Sequence, residues 1–212
     1  RVAIARAGAI APLVALLRSA SAWAQRNAAA TLRSLATIAD NKVVIARAGA
    51  IEPLVALVGG TLTGAHEKLH PAHQPAAAFM RDGSTEVQEM AAGALGNLAT
   101  DVDTMLAIAR AGAIEPLVAL LRDGSAEAQN LAAGALGMLA RNNDNRVAIA
   151  RVGAIEPLMA LVRGGSAGAQ ERAARALRNL AKNVDNQLAI ARARQDGTVH
   201  VFKLGAKAGS NT

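Results

Sequence analysis

The chain has 212 residues, no cysteine and a net charge of +7, and 52% of it is hydrophobic although only 1% is aromatic. Without cysteine there are no disulfides or thiolate metal sites, and a core almost without rings must be Ala, Leu, Ile and Val packed at short helix–helix distances. The charge is uneven, with net +4 over residues 1–40, −4 over 81–121 and +6 over 163–212, which is unlike the continuous basic stripe with stacking aromatics of a nucleic-acid binder.

In chain order, the first element is announced by Gly8-Ala9-Ile10-Ala11-Pro12-Leu13. The phrase returns as Gly49-Ala50-Ile51-Glu52-Pro53-Leu54, Gly112-Ala113-Ile114-Glu115-Pro116-Leu117 and Gly153-Ala154-Ile155-Glu156-Pro157-Leu158. The glycines stand 41, 63 and 41 residues apart, so the period is 41 with one interruption of 22 residues. A period in this range predicts stacked helical repeats, each burying its apolar face against its neighbours. Arg1 falls inside a repeat, so the reading expects a fragment without its address signals. The longest uncharged apolar stretch, Ala7 to Leu17, is too short to cross a bilayer.

Each phrase opens a middle helix. Proline in the first turn lacks only an amide that has no intrahelical partner, and Glu115 sits where the helix dipole favours an anion. In the third unit the middle helix stops at Asp123-Gly124 and Ser125 caps a long helix to about Arg141. Its apolar positions Ala128, Leu131, Ala132, Ala135, Leu136 and Leu139 follow the spacing of a buried stripe. A short helix follows, Arg146 to Arg151, with Asp144 and Asn145 as its expected cap and Gly153 as its stop.

The 22 extra residues, 59–80, fall between the second and third helices of the second unit and read as an outward loop. They contain His66-Glu67-Lys68-Leu69-His70-Pro71-Ala72-His73, whose first five residues match the H-E-x-x-H zinc pattern. Pro71 disfavours helical geometry at His70. His66, His70 and His73 are therefore the weak metal candidates of a chain read as having no metal, no cofactor and no enzymatic activity. At position 194 a fifth phrase is due, but Arg194-Gln195-Asp196 stands there. Residues 196–204 alternate like a strand and are similar to the last strand of a WD40 blade. Residues 194–212 are expected to be a disordered tail or a domain stub beyond a solenoid over 1–193.

The third helices carry a second signature. Val87-Gln88 is followed by Gly93-Ala94-Leu95-Gly96-Asn97-Leu98-Ala99, and Ala169-Gln170 by Arg175-Ala176-Leu177-Arg178-Asn179-Leu180-Ala181. With the glycine phrase, these residues resemble the armadillo repeat of beta-catenin-like proteins over about 1–58 and 81–193. HEAT repeats have two helices per unit and no such phrase. The resemblance implies an all-α, right-handed solenoid of about four three-helix repeats, acting as a non-catalytic protein-interaction scaffold with the third helices lining a concave groove.

On that basis the positions opposite each buried stripe become the expected peptide-groove residues: Arg26, Arg33, Ser34, Asn97, Asn130, Met138, Arg175, Arg178, Asn179 and Lys182. The family's groove asparagine, which bonds a bound peptide's backbone, maps to Ser34, Asn97, Met138 and Asn179. The tryptophan of importin-alpha-like adaptors maps to Ala30, Gly93, Gly134 and Arg175, so a nuclear-import receptor is disfavoured. Arg26 and Arg33 at one end, and Arg175, Arg178 and Lys182 at the other, suit an extended acidic segment of a protein partner, not a small molecule. The alternatives are attachment of the basic ends to RNA or an anionic membrane, or service as the substrate-binding part of a ubiquitin ligase. The expected state is an intracellular monomer, cytoplasmic or nuclear.

Overall fold

A computed structural model describes residues 8–60 and 74–194, with side chains for 8–60 and 85–194. In chain order the helices are α1 (Ile10–Leu16) and α2 (Ala22–Leu35), then α3 (Ala39–Arg47), α4 (Ile51–Val58) and α5 (Gln74–Leu98). They continue with α6 (Val102–Arg110), α7 (Ile114–Asp123) and α8 (Ala126–Leu139), then α9 (Asn143–Arg151), α10 (Ile155–Gly164) and α11 (Ala167–Leu180). Residues 184–194 form α12. No strand occurs among the described residues. The fold is an all-α solenoid of short, medium and long helices.

The turns follow from a few residue types. Gly49, Gly112 and Gly153 have φ of 76°, 79° and 81°, a left-handed conformation that Cβ-bearing residues avoid. At each, the next residue's amide reaches back over the turn, as Ala113 N does to Ile108 O at 3.3 Å, which satisfies the last carbonyls of the short helix. Serine starts the long helices: Ser21, Ser125 and Ser166 accept from the amides of Ala24, Ala128 and Ala169.

Two expectations change. The short helix of the fourth unit starts at Asn143, and its cap is Asn142, whose extended backbone lets the side chain accept from Asn145 N at 3.1 Å. Asp144 lies in the first turn. The third helix of the second unit is longer than expected, because Gln74–Leu98 takes in the last residues of the span read as a loop. Pro75 suits a helix start and Ala76, Ala77 and Ala78 are the best helix formers. The rest of that span, 61–73, lies outside the described residues, as does the tail beyond residue 194.

Packing is nearest-neighbour. The long helices form one continuous layer, α2 on α5, α5 on α8 and α8 on α11, and each medium helix packs on the long helix of its own unit. Leu32, Leu95, Leu98, Leu136 and Leu139 are fully buried in that layer, each contributing roughly 1.5–3 kcal/mol from the area removed from water. The backbones come close at small residues. A Cβ on Gly96 would lie 3.4 Å from Ala135 Cα, and one on Gly137 would lie 3.5 Å from Ala176 Cα.

Buried asparagines tie the layers together. Asn41, Asn145 and Asn186 sit at the same place in the short helices of successive units, with Thr104 in the place between. All four are at most 5% exposed. Asn41, Asn145 and Asn186 donate from Nδ2 to the C-terminal carbonyls of the preceding long helices, Leu35 O, Leu139 O and Leu180 O, at 3.1–3.2 Å. In the odd unit Asp101 caps α6. Burial raises its carboxyl, but hydrogen bonds from the hydroxyl and amide of Thr104 outweigh that and hold it below the ordinary carboxylate value. Removing a buried donor leaves a carbonyl unsatisfied, so Asn145→Ala should cost about 1–3 kcal/mol. Urea denaturation checks this, and an unshifted midpoint would remove the role assigned to the amide.

Candidate functional groove

The long helices α2, α5, α8 and α11 enclose a groove of about 760 Å³ along their exposed edge. Of the expected groove residues, Arg33, Ser34, Asn97, Met138 and Arg175 line it. Arg26, Asn130, Arg178, Asn179 and Lys182 are not among its lining residues. Arg178 and Lys182 are exposed outside it.

The two asparagines expected to meet a peptide are already engaged. Asn97 donates from Nδ2 to Arg33 O at 3.0 Å, and Asn179 from Nδ2 to Gly137 O at 2.9 Å. Each bond joins the end of one long helix to the next, and Asn179 is only 9% exposed. An amide nitrogen carries two hydrogens and its oxygen two lone pairs, so Asn97, part-exposed in the groove, retains polar capacity. Asn179 is primarily an inter-repeat tie.

The cations also sort differently. Arg26 pairs with Glu86, and Arg175 pairs with Glu171 at 2.8 Å within α11. Both pairs are well exposed, so each contributes little to stability, but each lowers the charge offered to a ligand. Asn130 donates to Glu127 at 3.0 Å, and the Glu89 carboxylate accepts from Ser125 Oγ. Arg33 is half-buried, and among the described residues its side chain makes only a weak contact, with Met90 Sδ at 3.7 Å. Arg172, half-buried on α11, also lines the groove. Among the described residues neither Arg33 nor Arg172 has a carboxylate partner.

Arg172 is the residue that pattern reading missed. It lies between the buried and exposed faces of α11, and its reach depends on a neighbour. A Cβ on Gly134 of α8 would meet Arg172 Nη1 at 3.2 Å and Cδ at 3.3 Å. The signal was Gly134 itself, a glycine inside a helix that leaves a path for a long side chain. Gly93 plays the same part for Arg33, whose Nε would lie 2.6 Å from an added Cβ. Of the four positions matched above to the tryptophan of import adaptors, two, Gly93 and Gly134, are glycines under arginines.

His66, His70 and His73 lie outside the described residues. Among the described residues no group of three potential ligands could hold a metal ion. None of the described helices is by itself long and apolar enough to cross a membrane.

The model of the Armadillo/beta-catenin-like repeat matches residues 1–37 and 142–182, and that of the HEAT-like repeat matches 85–139. The HEAT-like match thus spans most of the long helix of the second unit and the three helices of the third. Among solved structures, an engineered protein is 32% identical with a TM-score of 0.71, over 87% of this chain and 67% of that one. A designed armadillo repeat protein is 29% identical with a TM-score of 0.73, over 90% and 72%. Another, solved in complex with the peptide (KR)4, is 28% identical with a TM-score of 0.72, over 90% and 72%. No curated protein matches.

Proposed function

Because the chain belongs to the armadillo-repeat family, we propose that it is a non-catalytic interaction module whose groove takes an extended acidic segment of a partner protein. One observation supports the acidic preference above others. The groove is lined by Arg33, Arg172 and Arg175 against a single acid, Glu171, which is matched to Arg175. A partly desolvated guanidinium without a counter-charge favours an incoming carboxylate or phosphate, which it can hold with two parallel hydrogen bonds. The designed neighbour bound to (KR)4 takes a basic peptide; this groove, with its arginines, carries the same sign as that peptide and suits a peptide of the opposite one.

The test is fluorescence anisotropy with an extended twelve-residue acidic peptide and its basic counterpart. The acidic peptide should bind and the basic one should not. Arg172→Ala should weaken acidic binding about tenfold, the equivalent of one charge-assisted hydrogen bond, while the thermal midpoint stays in place. Preferential capture of the basic peptide would overturn the proposal. Asn179→Ala is a poor probe, since its amide holds Gly137 O and its loss weakens the array itself.

A further inference from the structure

Resting on that reading of the groove, we infer that Arg33 over Gly93 and Arg172 over Gly134 form two anion subsites, which select acidic or phosphorylated side chains four residues apart on one extended segment. Ala30, Gly93, Gly134 and Arg175 occupy one position in successive units. Gly93 and Gly134 therefore stand at the same level on adjacent long helices. Arg33 follows that position by three residues on α2, and Arg172 precedes it by three on α11. The two side chains thus approach one level from opposite ends of their helices.

Both heads lie against backbone where a side chain would otherwise stand. An added Cβ on Gly93 would be 2.8 Å from Arg33 Cδ and 3.0 Å from Cζ, besides the close approach of Nε. On Gly134 it would meet Arg172 Nη1 and Cδ. Each arginine is half-buried, so its field is screened less than that of a surface charge. Glu171, the acid among the groove-lining residues, bonds Arg175, and neither head has an acidic partner among the described residues.

The spacing follows from helix packing. Adjacent packed helices stand roughly 8–10 Å apart. Each head reaches its glycine from the outer side, so the two lie roughly 10–15 Å apart. An extended chain advances about 3.3 Å per residue and alternates faces. Side chains on one face thus recur at about 7, 13 and 20 Å, and only the second interval fits. Carboxylates and phosphates share the chemistry that a guanidinium fork recognises.

The experiment uses fluorescein-labelled thirteen-residue peptides with an otherwise neutral sequence. They carry two phosphoserines, or two glutamates, at a separation of three, four or six residues. The separation of four should bind about tenfold tighter than three or six at equal charge, and the stronger series identifies phosphate or carboxylate as the preferred group. Gly93→Ala, whose Cβ displaces the Arg33 head while its alanine favours the helix, should erase the spacing preference with no loss of thermal midpoint. Equal affinity at all three separations overturns the register and leaves the acidic groove standing. If no acidic peptide binds while the basic twelve-residue peptide does, the groove reading falls and the subsites with it.

Discussion

Leu136→Ala should cost roughly 2–5 kcal/mol, the range for deleting a fully buried leucine side chain and leaving its cavity. Leu136 is completely buried on α8, which packs against α5 on one side and α11 on the other. In a globular core the surroundings relax around one hole. In a stack the hole lies in the main layer that connects the second unit to the fourth, beside which the medium helices make only smaller contacts from unit to unit. The loss should therefore appear as lost cooperativity as well as a lower midpoint. Circular dichroism in urea should show a broadened or split transition. A single transition shifted by less than about 1 kcal/mol, well below that range, would show that the layer is not the coupling element.

Gly124→Ala should destabilise by about 1–3 kcal/mol, as forced overpacking does, although its backbone is ordinary, with φ −75° and ψ 168°. The obstacle is contact. An added Cβ would press on the Leu120 carbonyl oxygen and stand 2.9 Å from Ala128 Cβ and 3.0 Å from Leu120 Cδ1. The amide of Gly124 already donates to Leu120 O at 3.0 Å, and Ser125 begins the next helix at once, so the turn has no slack. Gly165 stands in the same position one unit later, with its Cβ site 2.6 Å from Leu161 O, and should respond alike. Gly164 is the internal control. Nothing lies within 4 Å of its Cβ site and it ends a helix, so Gly164→Ala should be neutral or gain up to about 1 kcal/mol from helix propensity. Thermal melts of the three variants separate these outcomes, and equal shifts for Gly124 and Gly164 would contradict the contact argument.

Most of the fold was legible because a solenoid repeats its own instructions. The glycine phrase located the medium helices, and the stripe Ala128, Leu131, Ala132, Ala135, Leu136 and Leu139 is buried as its spacing predicts. The cap at Asn142 was misplaced because Asn142, Asp144 and Asn145 are all capping residue types, and only backbone conformation chooses among them. The buried role of Asn145 was visible as a repeating Asp-Asn pair at 40–41, 144–145 and 185–186. It was passed over because asparagine is ordinarily read as a surface residue. The groove was legible as a face but not as a charge. Pairing of Arg26 with Glu86 joins residues sixty positions apart, and the reach of Arg172 depends on what Gly134 lacks. Periodicity reports which side of a helix is exposed; it does not report which exposed groups neutralise one another.

Gly96 and Gly137 face Ala135 and Ala176 at close to contact distance between successive long helices, and Gly96 and Ala135 lie on the groove side. Two wedges meeting at their thin edges fix the angle between them. The thin edges here are a hydrogen atom and a methyl group, so curvature per unit, and with it the distance from one binding position to the next, is set by the smallest side chains in the molecule. A methyl added at Gly96 would act as a shim, lengthening the rung spacing on the inner side and moving the ruler against which a partner is measured.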